Sequence, residues 1–527
     1  MISDIESRPL NEPTIFIEIN YALLNPHKKC IDAIHFLQKK NSISLFYKLI
    51  ELTHPFIYNS SIIPFRTRKR IYIISSELEF IPVIGGINTF LRVILSELIQ
   101  NKIHLEKRIE FVFIGIQIGK NCYQNLPHIE GIIFKFFPTN KSINYNSLDN
   151  YFKSFQKYSQ IFEELQIFGK LAMKWIEEDS NPGDICVSTI IYEFNKNSLE
   201  LLNKKGIKII HTVHSLVPIK IINNLKYIFL TGLNIKERVA AFIFFKIFRF
   251  NEYNLRKIYK NFFIKFIIPE FAKLTLDIED FLMTLSKIII VPSHKLAKIT
   301  AKLYYNNKHK IKCIPWGLPE NEIFGEPLIS FKEENLELKK NITKIKCMAL
   351  CKIIPQKGID LLLDSFFYIQ KINPIFSKRL ELNICGDMAY MQEKKFKFLL
   401  EEKVKKIKAI KIEFKGWLSG EPKKEILMNS DLFLLPSLNE PFGFCILEAM
   451  KAGLPIVSFN TEGPSDIITN KFGRLVQLSD YDTMVKDFAT TIIDICQSEN
   501  YNELRKFSSQ AIKQWKIREL ISNLLSF

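Results

Sequence analysis

The run LFLLPSLNEPFGFCILEAMKAGLPIVSFNTEGPSDII, residues 432–468, decides how this chain folds. The apolar stretch ending at Leu435 suits a buried parallel strand. Pro436 ends it, and Pro441 biases Glu440 toward an extended backbone. Phe442–Ala452 is predicted as a helix, stopped by Gly453 and Pro455. Leu454–Phe459 is predicted as the next strand. Glu440 therefore falls on the loop at the carboxyl end of a strand, and Glu448 falls eight residues later inside the following helix. In open α/β sheets, ligands bind at that edge.

The same rhythm recurs on either side of this run. Ile345–Leu350, Leu380–Cys385, Ile410–Phe414, Leu432–Leu435 and Ile456–Phe459 form one series of predicted strands. Arg70–Ser75, Phe111–Ile114, Asp184–Ser188, Ile207–Val213 and Ile288–Val291 form an earlier one. Amphipathic stretches such as Thr89–Ile99 lie between them. Strand–helix alternation of this kind predicts two doubly wound α/β domains. The polar segment FKEENLELKKNIT, residues 331–343, reads as the connection between them. The expected organisation is an extension over 1–66 that matches no motif, a first domain over 67–330, a second over 331–505, and a helical tail over 506–527.

At 527 residues the chain exceeds one core, and its 47% hydrophobic and 24% charged content is that of a globular protein. A net charge of +18 points to anionic partners: nucleotide diphosphates, acidic lipid or nucleic acid. No nucleic-acid-binding signature is present, which removes the last class. The nine cysteines are scattered, and the pair Cys347 and Cys351 has no second pair or nearby His to complete a zinc site. No metal is expected, and a reducing cytoplasm fits. The first thirty residues carry Asp4 and Glu6 and lack the apolar core of a secretory signal. No uncharged apolar run approaches the ~20 residues needed to span a bilayer.

Several short segments bear chemistry. Cys351-Lys352-Ile-Ile-Pro-Gln-Lys357-Gly358 joins a predicted strand to the helix Ile359–Ile369. Two cations at such a turn, next to a helix N-terminus, can neutralise a pyrophosphate. Gly85-Gly86 follows the first strand, and paired glycines allow backbone amides to approach a phosphate or sugar, although an ordinary turn would also explain them. His211-Thr-Val-His214 ends a strand of the first domain, and period-two alternation puts His211 on the opposite face from Thr212 and His214. Ile384-Cys-Gly386-Asp387 reads as a tight turn after a strand. Residues 236–268 are rich in Phe and Ile with Lys246, Arg249, Arg256, Lys257, Lys260 and Lys265 interspersed. That composition suits either a domain core with a wet basic face or a helix lying on an anionic membrane.

The pair Glu440 and Glu448, with Pro-Phe-Gly after the first, Glu-Ala-Met at the second and Ala-Gly-Leu-Pro beyond, resembles the nucleotide-sugar motif of retaining GT-B glycosyltransferases of the glycosyltransferase 4 group (glycosyl transferases group 1). The likeness extends over about residues 70–525. It implies a GT-B architecture, two Rossmann-like domains facing each other across a cleft, with a final helix that crosses back to the first. It implies transfer of a hexose from a nucleotide-diphosphate sugar to a hydroxyl acceptor, a glycan or a lipid-linked one, with no obligatory metal or other cofactor. On that resemblance Lys352 and Lys357 grip the donor diphosphate and Glu448 the ribose. Glu440 and the backbone of Phe442, Gly443, Phe444 and Cys445 hold the sugar. Gly85 and Gly86 approach the donor, Trp417 and Leu418 lie where the base settles, and His214 faces the sugar. His214, Glu440 and Lys357 are the catalytic candidates. Ser293 and the stretch Cys313–Pro319 match two further landmarks. The chain departs from the pattern at Cys351 (usually Gly), Lys352 (usually Arg), and Trp316 and Pro319 (usually Asn and Asp). These departures keep open a second reading, a catalytically degenerate protein that only binds nucleotide sugar or a membrane.

Overall fold

The computed structural model describes residues 68–75, 86–117, 128–138, 155–189, 191, 194–219, 270–320, 329–331, 344–387 and 393–527. The extension 1–66, Gly85, the basic segment 236–268 and nearly all of the polar connection lie outside the described residues. The first sheet is built from β1 (Lys69–Ile74), β2 (Ile109–Gln117), β3 (Ile132–Pro138), β4 (Ile185–Ser188), β5 (Lys208–Thr212), β6 (Ile288–Val291) and β7 (Ile311–Cys313). Its spatial order is β3-β2-β1-β4-β5-β6-β7, and adjacent strands run parallel. Helices α1 (Gly86–Asn101), α2 (Phe155–Asp179), α3 (Lys196–Lys204), α4 (Glu270–Leu285) and α5 (His294–Leu303) accompany it.

The second sheet repeats the plan with β8 (Ile345–Leu350), β9 (Leu380–Cys385), β10 (Lys411–Gly416), β11 (Leu432–Leu435), β12 (Ile456–Phe459) and β13 (Gly473–Val476). Its order, β10-β9-β8-β11-β12-β13, is again fully parallel. Its helices are α6 (Ile359–Ile372), α7 (Glu393–Lys406), α8 (Gly420–Asn429), α9 (Phe444–Lys451), α10 (Tyr481–Gln497), α11 (Tyr501–Ala511) and α12 (Arg518–Ser526). All four residues of β4, β11 and β12 are buried, because both faces of each sheet are covered. This is the two-domain arrangement expected from the sequence.

Strands β3, β7 and β13 were not expected. All three lie at or beside sheet edges, and β7 and β13 are only partly buried, so neither presents a continuous apolar run. Helix α9 is also shorter than Phe442–Ala452, because Gly443 takes φ +101 as its N-cap and holds Phe442 outside it.

The tail is two helices rather than one. After α11 and a short 3₁₀ turn, the chain runs alongside residue 318: Leu318 N donates to Trp515 O (2.9 Å) and Ile517 N to Leu318 O (3.3 Å). A Cβ on Gly317 would collide with the Trp515 and Lys516 backbone, which explains glycine there. Helix α12 then buries Leu520, Ile521, Leu524 and Leu525 in a core shared with Ile71, Phe90 and Val93 of the first domain. The Phe527 carbonyl accepts from Lys208 Nζ (2.5 Å).

Candidate active site

Each sheet order reverses once, between β1 and β4 in the first and between β8 and β11 in the second. Ligands of doubly wound sheets bind at such switch points, beyond the carboxyl ends of the strands. In the second sheet the loop after β8 carries Lys352–Gly358, and the loop after β11 carries Pro436–Gly443. The two are laced together: Leu438 N donates to Gln356 O (2.9 Å), and Ile353 N to Asp387 O in the loop after β9 (2.9 Å). Gly358 (φ +64) and Gly386 (φ +142) permit this packing, since a Cβ would land on the Pro436 carbonyl in the first case and the Cys351 carbonyl in the second.

At the centre, Lys357 Nζ donates to Glu440 Oε2 at 2.6 Å, with 19% and 13% of the two side chains exposed. Burial alone would lower the Lys357 pKa, but the charge of Glu440 and its hydrogen bond outweigh burial and raise it. The ammonium is thus fixed as a cation. Glu462 holds the loop from behind, accepting from Asn439 Nδ2 (3.0 Å) and from Glu440 N (3.2 Å). Glu440 O in turn accepts from Gly463 N (2.8 Å). Burial pushes the Glu462 carboxyl upward, partly countered by those backbone contacts. Glu448, on α9, is buried and paired with Lys423 of α8 at 3.2 Å.

Two glutamates and two lysines therefore form two shielded pairs at one switch point. The spacing of Glu440 and Glu448 and the turn around Lys357 are visible in the sequence. Lys423 and Glu462 were missed. Glu462 stands in the same stretch, before Pro464, but nothing local shows that it reaches back to the Glu440 backbone. Lys423 becomes a partner only through the packing of α8 on α9. Lys352 is half-buried on the same loop as Lys357. Cys351 and Cys445 flank the pair, and burial pushes the Cys351 thiol up to about 12 and that of Cys445 well above the usual range. Neither is a thiolate nucleophile.

Opposite this cluster, the carboxyl ends of the first sheet meet the second domain. Ser293 Oγ, after β6, donates to Pro441 O (3.1 Å), and Lys295 Nζ donates to Asn460 O (2.6 Å). Trp316, after β7, is buried against a ring cluster: Phe90 (4.6 Å between centroids), His214 (4.5 Å), Phe442 (5.4 Å) and Phe444 (5.7 Å). His214 is half-buried between Trp316 and Phe90, and its Nε2 lies 3.3 Å from Thr212 Oγ1. The Phe442 and Phe444 rings are committed to this cluster. His211 faces elsewhere, buried, with Nδ1 3.1 Å from Ser188 Oγ.

Gly86 opens α1, and among the described residues nothing lies within 4 Å of where its Cβ would stand. Trp417 and Leu418 follow β10, half-buried, and are tied to the site by the bond from Gly386 N to Gly416 O (2.7 Å).

Residues 331–514 match the family glycosyl transferases group 1. The match covers the second domain and the start of the tail. The UDP-Gal:alpha-D-GlcNAc-diphosphoundecaprenol alpha-1,3-galactosyltransferase of Escherichia coli is 32% identical over 192 residues, 36% of this chain and 46% of that protein. The chain spans less than half the length of such curated relatives. Among solved structures, sucrose-phosphate synthase from Thermosynechococcus elongatus superposes with a TM-score of 0.56 at 15% identity, covering 87% of this chain and 98% of the other. HepE of Anabaena, in complex with UDP and glucose, gives 0.51 at 14% identity, covering 87% and 99%. The fold is therefore GT-B. Among the described residues no helix is long and apolar enough to cross a membrane.

Proposed function

We propose that this protein is a retaining glycosyltransferase that moves a hexose from a nucleotide-diphosphate sugar to a hydroxyl of a glycan or lipid-linked acceptor. The observation that carries the reading is the Lys357–Glu440 pair, set at the switch point of the domain that matches glycosyl transferases group 1. The UDP and glucose held by HepE and the UDP-Gal named for the galactosyltransferase support a nucleotide-sugar donor. The diphosphate would lie at the N-terminal side of α6, against Lys352 and Lys357. Glu448 would take the ribose hydroxyls from its place beside Lys423. Glu440 would take sugar hydroxyls on one side while holding Lys357 toward the phosphate on the other.

In the reaction, the bond from the anomeric carbon to the diphosphate breaks, and the acceptor oxygen bonds to that carbon on the same face. The acceptor proton passes to the departing phosphate oxygen. Charge builds on the diphosphate, so preorganised cations are where rate is gained; one such donor is worth about 3 kcal/mol. No step requires a carboxylate nucleophile.

A panel of labelled nucleotide sugars, followed for both transfer and hydrolysis, tests the activity, and the anomeric configuration of the product tests retention. Nucleotide binding without turnover against glycan and lipid acceptors would instead favour the degenerate binding protein. The basic, aromatic sequence of residues 236–268 supports peripheral contact with anionic membrane. Co-sedimentation should require anionic vesicles and weaken as salt rises.

A further inference from the structure

Away from the donor loops, three potential ligands from three separate segments converge on the seam between the two domains. His294 is the first residue of α5, Cys313 ends β7, and Asp466 lies in the short helical turn Pro464–Ile467 of the second domain. His294 Nδ1 and Asp466 Oδ2 are 2.9 Å apart, and a ring nitrogen of His294, Cys313 Sγ and a carboxylate oxygen of Asp466 all lie within 4.8 Å of one another. We propose that these three side chains form a Zn²⁺ site that pins the first domain to the second.

The donor set argues for the metal. Imidazole nitrogen, thiolate sulfur and carboxylate oxygen are the ligands of zinc, whereas calcium and magnesium take oxygen shells. Bonds of about 2.0–2.3 Å in a tetrahedron place ligand atoms roughly 3.3–3.8 Å apart. The observed spread brackets that range, so small side-chain rotations close the site. Asp466 Oδ2 also accepts from His294 N at 2.6 Å, and the carboxylate has a second oxygen to share between that bond and an ion. The His294 side chain is 71% exposed, which leaves an entry path from solvent. Three protein ligands leave a fourth position for water.

The consequence lies in where the ligands come from. Beside the His294–Asp466 contact, Ser293 to Pro441 and Lys295 to Asn460 are single hydrogen bonds across this seam. An ion held by His294 and Cys313 on one side and Asp466 on the other would restrain the seam against opening.

The test uses the full chain stripped of metal and titrated with Zn²⁺ and then with Co²⁺, whose thiolate complexes show a charge-transfer absorption. The expected result is one ion per chain, a thiolate–cobalt band that Cys313→Ser abolishes, and Zn²⁺ affinity reduced at least about 100-fold in His294→Ala, since losing even an outer-shell partner costs about 10- to 100-fold. Asp466→Asn should weaken Zn²⁺ binding and remove the rise in melting temperature that Zn²⁺ gives the parent. His294 is exposed, so its replacement leaves the fold intact and keeps the test decisive. A cobalt spectrum without the thiolate band, or unchanged affinity in any of the three variants, overturns the site. None of these readouts depends on glycosyl transfer, so their failure would leave the proposed activity standing.

Discussion

Replacing Lys357 by Met and Glu440 by Gln, singly and together, separates what the pair does for the fold from what it does for the reaction. At 2.6 Å and an effective dielectric near 20, the direct attraction is about 6 kcal/mol, most of which is offset by taking both ions out of water. Losing one partner of a fully buried pair costs about 3–5 kcal/mol, because a lone charge is left behind. With 19% and 13% of the side chains exposed, water screens part of that penalty, and about 2–4 kcal/mol is expected for each single variant. The double variant carries no stranded charge and should return to within about 1 kcal/mol of the parent. The singles together cost about 4–8 kcal/mol and the double about 1 or less, so the cycle gives a coupling of about 3 kcal/mol or more, at or beyond the top of the range for contacting residues. Transfer should behave differently: all three variants should be slowed about 10²-fold or more, because neither the cation nor the sugar-binding carboxylate is restored. Urea unfolding followed by tryptophan fluorescence gives the stabilities, and labelled-sugar transfer gives the rates. If the double variant is as unstable as the sum of the singles, the pair is not coupled in solution. If Lys357→Met transfers at the parental rate, the phosphate role is wrong.

The other expectations are independent of that cycle. Glu448→Gln strands the shielded ammonium of Lys423 and should weaken calorimetric affinity for the bare nucleoside diphosphate, whereas Glu440→Gln should spare it, because Lys357 remains to meet the phosphates. Equal losses in the two variants would refute this division of labour. Burial lowers the His211 pKa to about 4 from 6.5, so the fold keeps the ring neutral. The depressed value means that stability is lost as pH falls from about 6.5 to about 4, by about 3 kcal/mol in all. His211→Gln should flatten that part of the pH–stability profile, and an unchanged slope would count against the assignment. Gly317→Ala drives a methyl into the Trp515–Lys516 backbone and should cost about 1–3 kcal/mol. Limited proteolysis should then release the segment carrying α12 sooner than in the parent; an unchanged digestion pattern would mean that the crossing does not depend on this contact.

What could be read from the sequence follows from which structural features leave a local trace. Strands β8, β9, β11 and β12 lie inside a sheet covered on both faces, so each is written as an apolar run. Strands β3, β7 and β13 lie at or beside edges, and β7 and β13 lack such a run. Glu440, Glu448 and Lys357 were legible because loop, helix and turn signals fix their place relative to the strands. Lys423, Glu462 and Asp466 were not, because each acquires its partner only when separate elements pack. Trp316 shows a third case. It stands out in the sequence only as a departure at a family landmark, while the structure makes it the centre of the ring cluster joining His214 to Phe442 and Phe444. The two sheets share one winding order and one switch point each, so topology alone gives no reason for the donor to prefer either. Charge does. Among the described residues, the second switch point presents Lys352, Lys357, Glu440 and Glu448. A diphosphate needs fixed cations, and a sugar and ribose need carboxylates to accept their hydroxyls. Those cations and carboxylates support the proposed donor site in the second domain.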